Sequence, residues 1–287
     1  MVRLLRGFLL VAAVMGALVA QSASASAATG RVFGGTVKSA RDAIVLNADA
    51  HGRAVTKVVL AWEAKCSDGQ YWVAHEAFTA LAQGNGMPRT GRFNTKHNAK
   101  GSFDGSALNV FVSRDGATVY SETTTVTGRL TATGATGTIS GTTIVSMATP
   151  PADPAAGIIT TCVTGQRTWN ATRRPGIVYG GATSIGEPTV LRLAATRRKI
   201  AELDFGWHAS CPGGGFVDFS ERFRSVALKA GRFDELWSMP AGANLFAYAV
   251  AGTIGRTSAK GTMNVMEQIP GQALCQTGDL RWSASSG

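Results

Sequence analysis

Residues 60–66 read Leu-Ala-Trp-Glu-Ala-Lys-Cys, and residues 205–211 read Phe-Gly-Trp-His-Ala-Ser-Cys. Alternate positions of the first stretch are apolar or small: Leu60, Trp62, Ala64 and Cys66. The second stretch repeats that face with Phe205, Trp207, Ala209 and Cys211. A period of two with one apolar face is typical of a half-buried β-strand. Both stretches therefore predict a strand that ends on a cysteine.

Further matches extend outward from these two strands in the same order along the chain. They are Gly34-Gly35 with Gly180-Gly181, Glu76-x-Phe78 with Glu221-x-Phe223, Gly91-Arg92-Phe93 with Gly231-Arg232-Phe233, Gly128 and Gly137 with Gly252 and Gly261, and Cys162 and Trp169 with Cys275 and Trp282. Ordered matches at near-equal spacing indicate an internal duplication. The first copy is the longer one, with extra residues at 96–105 and 150–154.

The duplication predicts two tandem β-domains behind an N-terminal segment. We expect a signal peptide at 1–28, the first copy with its insertion at 29–174, and the second copy at 175–287. Domains of about 110 to 145 residues suit an antiparallel β-barrel or β-sandwich, and the short turns favour the barrel. One or two helical turns are expected at 77–83 and at 221–229. Cys162 and Trp169 are an odd number of positions apart, which predicts a bulge or turn at Thr164-Gly165.

The N-terminus has the layout of a secretory signal. Arg3 and Arg6 precede an uncharged stretch at 8–20, and small residues follow at 22–28. A stretch of this length is too short to cross a bilayer core, which takes about 20 helical residues. We therefore expect cleavage, no membrane span, and a protein that is secreted or associated with the cell envelope.

Composition excludes several classes of protein. With 45% hydrophobic and 16% charged residues the chain does not have the composition of a disordered protein, and its 35 glycines follow no collagen period. The net charge of +10 is typical of a soluble surface with spare positive charge, which is the interpretation we favour. The alternative is attraction to an anionic partner such as a cell-wall or other anionic glycan, and a protein partner stays open. The basic residues are dispersed and no nucleic-acid motif occurs, so nucleic-acid binding is not expected.

Four cysteines allow three pairings, and the duplication selects one of them. Cys66–Cys162 and Cys211–Cys275 give each copy an equivalent disulfide, and export places the chain where disulfides persist. Metal binding is the alternative, but no Cys-x-x-Cys spacing occurs. We expect neither a metal nor a cofactor.

Few residues suggest catalysis. No phosphate loop, dinucleotide fingerprint or nucleophile elbow is present, and no histidine recurs in both copies. The shared carboxylates Glu76 and Glu221 are interpreted as surface groups that are paired with a nearby arginine or lie at a helix start. Trp62, Trp169, Trp207 and Trp282 are assigned to the core. The remaining candidates for ligand binding are Trp72, Glu76, His97, Glu221 and Trp237. Trp72 and Trp237 are candidates for either the core or an exposed stacking surface, and His97 is a candidate because it lies in the longer copy.

The repeated glycine pair, Trp-x-Ala-x-Cys and closing Cys-x-Thr-Gly resemble tandem Cys/Trp β-domain repeats in secreted proteins of high-GC Gram-positive bacteria, which have no assigned activity. The resemblance implies a scaffold and no catalytic residue. Two functions stay open. One is a non-enzymatic protein that binds a ligand or partner outside the cell. The alternative is a secreted hydrolase whose site lies in the first domain, built from His75, Glu76, His97 or Asp104.

Overall fold

The structure is a computed structural model that describes residues 30–38, 40, 42–79, 90–93, 101–113, 116–149, 154–173, 177–212, 216–241, 244–268 and 274–286. Within these ranges the chain forms nineteen strands, one 3-10 turn at Pro154–Gly157 and no α-helix. The all-β prediction is confirmed, and both sheets curl into barrels. No helix in the described ranges is long and apolar enough to span a bilayer.

The first barrel comprises ten strands. They are β1 (Arg31–Val37), β2 (Ala43–Ala48), β3 (Val55–Lys65), β4 (Tyr71–Thr79), β5 (Thr90–Phe93), β6 (Ser102–Val112), β7 (Thr118–Leu130), β8 (Gly134–Met147), β9 (Ile158–Val163) and β10 (Arg167–Thr172). Consecutive strands from β1 to β9 pair as neighbours, and only the β4–β5 pair is parallel. The long β8 pairs with β10 along its first half and with β9 along its second. Because β10 pairs with both β8 and β1, the ring of strands closes.

The second barrel comprises nine strands. They are β11 (Val178–Thr183), β12 (Pro188–Leu193), β13 (Lys199–Ser210), β14 (Phe216–Ala227), β15 (Arg232–Ala241), β16 (Asn244–Ile254), β17 (Ser258–Gln268), β18 (Cys275–Gln276) and β19 (Leu280–Ser286). Their order is β14-β13-β12-β11-β19-β17-β16-β15, and the short β18 pairs with β13 and β17. Among the described residues β14 and β15 form no ladder with each other.

Each barrel is tied by its own disulfide, as the sequence predicts. Cys66 bonds to Cys162, and Cys211 bonds to Cys275. In both cases the bond joins the end of a long early strand to the short strand near the end of the barrel. The expected turn between cysteine and tryptophan is also present, because Gly165 and Gly278 have φ angles of 65° and 63° in that connection.

The repeated tryptophans lie in the two barrel cores, as predicted. Trp62, Trp169, Trp207 and Trp282 are at most 2% exposed. Trp169 packs against the glycine pair Gly128 and Gly137, which face each other across β7 and β8. Trp282 packs in the same way against Gly252 and Gly261. In each barrel the two glycines, nine residues apart in sequence, thus leave room for an indole ring that a Cβ at either position would exclude.

One of the sequence matches is wrong. Phe233 pairs with Gly252, and in the first barrel the residue that pairs with Gly128 is Phe103 rather than Phe93. The counterpart of residues 231–233 is therefore 101–103, and Gly101 and Gly231 share positive φ angles of 74° and 75°. Part of the extra length of the first copy therefore lies ahead of β6, between β4 and residue 101, rather than at 96–105, and the rest follows Gly101.

The two expected helical segments are also wrong. Residues 77–79 belong to β4 and residues 221–227 to β14. In β14 the side chains alternate, with Phe223 inside the barrel and Arg222 outside. Cross-strand pairing along all of β13 outweighs the helix propensity of this short segment. Residues 80–83 lie outside the described residues.

The barrels pack against each other through the outer faces of β1–β4 and β11–β14. An apolar cluster lies between them, formed by Ala43, Val45, Val59, Ala77, Val178 and Val190. Gly180 belongs to this contact, because a Cβ there would lie 2.6 Å from Cβ of Val45. Buried ion pairs surround the apolar cluster, and one of them, between Arg222 and Asp42, joins the two barrels.

Candidate ligand site in the first barrel

The adjacent residues His75 and Glu76 of β4 lie on opposite faces of the barrel wall. Glu76 lies on the inner face with Ala74 and Phe78, which belong to the core of the first barrel. Its side chain is fully buried, so the interpretation of Glu76 as a surface carboxylate is wrong. The period-two alternation of β4 places the Glu76 side chain inside the barrel. It is stable there because neighbouring polar groups hydrogen-bond to it.

A second carboxylate faces Glu76 inside the same barrel. Asn109 Nδ2 donates to Glu76 Oε1 at 2.8 Å and, more weakly, to Glu122 Oε1 at 3.4 Å. Glu122 is also fully buried. Asn109 and Glu122 are directly opposite each other on β6 and β7. One amide group therefore holds two carboxylates together.

Threonine hydroxyl groups extend this polar patch along the inner face of the barrel, over β7 and β8. Thr124 Oγ1 lies 3.3 Å from Glu76 Oε1 and donates to it. Thr143 is the cross-strand neighbour of Glu122 on β8 and is fully buried. Its Oγ1 makes no hydrogen bond with any described residue. A buried hydroxyl without a partner is costly, which marks this position as one where a ligand group or water would be stabilised.

Aromatic rings border the polar patch. Trp72 Nε1 donates to Glu122 Oε2 at 2.7 Å, and Trp62 Nε1 donates to Thr124 Oγ1 at 2.8 Å. Trp72 stacks on Tyr120, whose ring stacks in turn on Phe111, with centroids 5.5 and 4.9 Å apart. Trp72, Tyr120 and Phe111 are all half-buried. We refer to Glu76, Asn109, Glu122, Thr124, Thr143 and Trp72 as the inner polar site.

The inner polar site has a definite chemical character. Two carboxylates lie within reach of one amide in a largely dehydrated interior. A cationic group, or a group with several N–H or O–H donors, would hydrogen-bond to carboxylate oxygens placed in this way. The half-buried indole of Trp72 offers an apolar or cation-binding face beside them.

The second barrel fills the same space with aromatic side chains. At the positions of Ala107 and Thr124 it has Trp237 and Tyr248, which are again cross-strand neighbours. At the position of Glu122 it has Phe246. The ring of Trp237 stacks on Phe223 with centroids 4.1 Å apart, and Tyr248 is 1% exposed. The interior of the second barrel is still partly polar, because Glu267, at the position of Thr143, is 3% exposed.

Glu221 is the one carboxylate that both barrels place in equivalent positions. It accepts a hydrogen bond from the hydroxyl of Tyr248 at 3.3 Å and one from the backbone N–H of Arg222 at 3.0 Å. Burial raises the pKa of Glu221 above its ordinary value, and these two hydrogen bonds oppose the rise in part. Glu221 is also not a surface carboxylate paired with arginine, and it has no acidic counterpart of Glu122 beside it because Phe246 occupies that place.

The other candidate residues lie apart from the inner polar site. His75 is buried on the outer face of β4, where a Cβ at Gly206 of the second barrel would meet His75 Nε2 first and Glu187 Oε2 at 2.8 Å. Asp104 lies on the outer face of β6, since its neighbour Phe103 is in the core. Trp237 packs against the core of the second barrel. His97 lies outside the described residues. The structure thus joins only Trp72 and Glu76 among the predicted candidates.

Sequence reasoning missed Asn109, Glu122 and Thr124. A signal was present, because Glu122, Thr124 and Val126 alternate along β7 with residues that point to solvent. A glutamate on the inward face of a period-two strand marks a polar interior. No comparison between the copies could find Glu122, since Phe246 stands at the equivalent position. Within the described residues, no group of three or more His, Cys, Asp or Glu side chains is placed to hold a metal ion.

Comparisons with known proteins add no family. No protein-family model matches the chain, and no curated protein shows significant sequence similarity to it. Among solved structures, the chain is similar to kievitone hydratase from Nectria haematococca at 8% sequence identity, over 90% of this chain and 89% of that one, with a TM-score of 0.18. A TM-score this low does not relate the two folds.

Proposed function

We propose that this chain is an exported binding protein whose first barrel holds a small ligand at the inner polar site. The observation that supports it is the pair of buried carboxylates, Glu76 and Glu122, joined by Asn109 beside the half-buried Trp72. The ligand that fits is small, has a cationic or donor-rich polar end, and has an apolar ring or chain that contacts the indole.

A purely structural role explains the inner polar site poorly. Burying two like charges together costs stability, and replacing such groups with apolar side chains is often neutral or stabilising. At two positions the second barrel makes that replacement, with Phe246 and Tyr248 in place of Glu122 and Thr124, while its own interior carboxylates are Glu221 and Glu267. The arrangement of Glu76, Asn109 and Glu122 is therefore particular to the first barrel, which supports a function there.

Export is the second part of the proposal. The signal-like N-terminus and the two disulfides both suit a chain that leaves the reducing cytoplasm. Expression in a bacterial host with an intact secretion system, followed by N-terminal sequencing of the protein outside the cytoplasm, tests it. A mature N-terminus near residues 26–29 is expected. Full-length chain retained inside the cell would contradict it.

Ligand binding is tested by thermal shift and by tryptophan fluorescence against a panel of small amines, polyols and aromatic glycosides. A ligand of the inner polar site stabilises the protein and changes the emission of Trp72. Glu122→Gln keeps the size of the side chain but removes its charge, so it should weaken binding about tenfold or more, as expected when a charge-assisted hydrogen bond worth about 1.5–3 kcal/mol is lost.

The matched control is Glu221→Gln, which alters the equivalent strand of the second barrel and should leave binding unchanged. Equal weakening by Glu122→Gln and Glu221→Gln would mean that the ligand does not occupy the first barrel. No binding across the panel, with a folded protein, would count against the proposal.

An enzyme at the same site is the second candidate. Acid–base catalysis requires two convergent groups, and Glu122 supplies the partner for Glu76 that the sequence alone did not reveal. His75, His97 and Asp104 have no part in this version of the hydrolase hypothesis. Product formation by mass spectrometry from any ligand found in the panel, lost in Glu76→Gln while binding persists, would favour catalysis over binding.

A further inference from the structure

A long groove runs over the outer face of the second barrel, away from the inner polar site. Its cavity has a volume of about 990 Å³ and is lined by strands β11, β15, β16, β17 and β19. A second cavity of about 440 Å³ lies beside it, between the two barrels. Ala182, Thr183, Lys260 and Ser283 line both, so the two cavities are adjacent, and we refer to them together as the trough.

The trough is strongly basic. Lys229, Arg232, Lys260 and Arg281 line the groove, with Asp234 and Glu235 as its acidic residues. Lys57 of the first barrel lines the cavity between the barrels. Arg232, Thr253, Lys260 and Ser283 are successive cross-strand neighbours on β15, β16, β17 and β19. Cations and hydroxyl groups therefore alternate along a row across the sheet.

These cations have no acidic partners in the part of the chain that the structure describes. No carboxylate lies within ion-pair distance of Lys57, Lys260, Arg232 or Arg281 among those residues. Lys57 is largely enclosed, and burial lowers its pKa. An enclosed ammonium group without a counter-ion is costly, and an anion in the trough would offset that cost.

The fold does not require this charge. The residue before Phe103 is Ser102, whereas the residue before Phe233 is Arg232. In the same way Thr136 and Thr168 of the first barrel occupy the positions of Lys260 and Arg281, each one residue before the glycine or tryptophan that the two barrels share. The same surface of the first barrel therefore has hydroxyl groups where the second barrel has three cations.

We propose that the trough binds an anionic polysaccharide, with carboxylate, sulfate or phosphate groups on Lys57, Lys260, Arg232 and Arg281 and sugar hydroxyls on the threonines and serines between them. An elongated partner fits because the cations follow a path across four strands and into the cleft. A nucleic acid fits less well, because single-stranded binding relies on exposed aromatic rings for base stacking. The aromatic rings that line the groove, Phe233 and Trp282, are 6% and 2% exposed.

The test uses the purified full chain and three fluorescent probes: dextran sulfate, oligogalacturonate and uncharged dextran. We expect both anionic probes to bind and affinity to fall steeply with salt, while uncharged dextran does not bind. The test variant is Arg232→Ser/Lys260→Thr/Arg281→Thr, which installs the residues of the first barrel. It should weaken binding about 100-fold, since each lost contact of unit charges about 4 Å apart in water is a factor of about five.

The control variant is Arg53→Gln/Lys65→Gln/Arg129→Gln, which removes the same charge from exposed positions of the first barrel that do not line the trough. It should bind within about twofold of the wild type, since exposed charges that do not contact the probe are screened by salt. Equal weakening by both triple variants would show that only net charge attracts the probe and would overturn the site. Tighter binding of single-stranded DNA than of dextran sulfate, binding of inorganic phosphate alone, or no binding at low salt would each overturn the polysaccharide proposal.

Discussion

Arg222 of the second barrel donates from Nη1 to Oδ1 of Asp42 in the first barrel, at 2.9 Å. Its Nε donates to Asp204 Oδ1 at 2.6 Å, and its Nη2 lies 3.4 Å from Glu202 Oε1. Burial alone would lower the pKa of Arg222, but Asp204, Glu202 and Asp42 together raise it, so the guanidinium stays charged. A single buried cation therefore pairs with carboxylates of both barrels and couples the barrels.

We expect Arg222→Met to uncouple the two barrels. The side chain is 3% exposed, and its loss leaves Asp42, Asp204 and Glu202 buried without their shared cation. Breaking a buried ion pair by removing one partner costs about 3–5 kcal/mol. Differential scanning calorimetry should show a lower melting temperature and a split of the unfolding endotherm into two.

Arg224→Met is the matched control for that variant. Arg224 lies two residues further along β14 and also reaches the first barrel, at 2.7 Å from Glu63, but its side chain is 53% exposed. Its removal should cost less than about 1 kcal/mol, as for other exposed ion pairs. Equal losses for the two variants would contradict the view that burial makes the Arg222 contact important.

Gly128→Ala should destabilise the first barrel. A Cβ at Gly128 would lie 2.5 Å from Cζ of Phe103 and 2.6 Å from Cζ2 of Trp169, so the core has to shift. Overpacking of this kind costs about 1–3 kcal/mol. Urea unfolding should show the loss, and Phe103→Leu in the same chain should recover part of it. Ser106→Ala, on the exposed face of β6, is the control. Additive effects of Gly128→Ala and Phe103→Leu would show that a side chain at position 128 does not contact Phe103.

The residues that made the fold predictable are those whose burial both barrels share. Period-two alternation around Trp62 and Trp207 predicted the strands, and the repeated cysteines predicted the disulfides. Phe93 was aligned with Phe233 because both follow Gly-Arg. Only the strand register shows that Phe103, and not Phe93, is equivalent to Phe233. Register depends on pairing between distant segments, which the local sequence does not specify. The duplication and the domain boundaries stay predictions.

The inner polar site was harder to predict for a related reason. Comparison of the copies emphasised Glu76, which both share, and ignored Glu122, which differs from Phe246. Whether Glu76 lies inside or outside depends on which face of β4 meets the core, and the adjacent His75 offered an equally plausible polar face. Contacts across β4, β6 and β7 bring Glu76, Asn109 and Glu122 together over more than thirty positions of sequence.

Each disulfide should stabilise its own barrel. The two bonds close loops with sequence separations of 96 and 64 residues. In the chain-entropy model such loops give roughly 4–5 kcal/mol each. In the Arg222→Met background, where the two barrels are expected to unfold separately, Cys66→Ala/Cys162→Ala should lower the transition of the first barrel and Cys211→Ala/Cys275→Ala that of the second. Non-reducing peptide mapping checks the remaining bond. Destabilisation of only the opposite barrel would contradict this assignment.

Glu221 should make the stability of the second barrel depend on pH. Burial raises its pKa above the ordinary value of 4.5, so the folded state holds the proton more tightly than the unfolded state does. The resulting stabilisation is fully present below about pH 4.5 and is lost as pH rises through the folded-state pKa. Glu221→Gln cannot ionise, so its stability relative to the wild type should increase as pH is raised.

Tyr248→Phe should change the same curve in the opposite direction. The hydroxyl of Tyr248 donates to the Glu221 carboxylate and thereby lowers the pKa of Glu221. Its removal raises that pKa further, so stability relative to the wild type should decrease as pH is raised. Urea titrations of the wild type and both variants between pH 4 and 8 measure these differences. Parallel curves for all three proteins would show that Glu221 does not titrate differently in the folded and unfolded states.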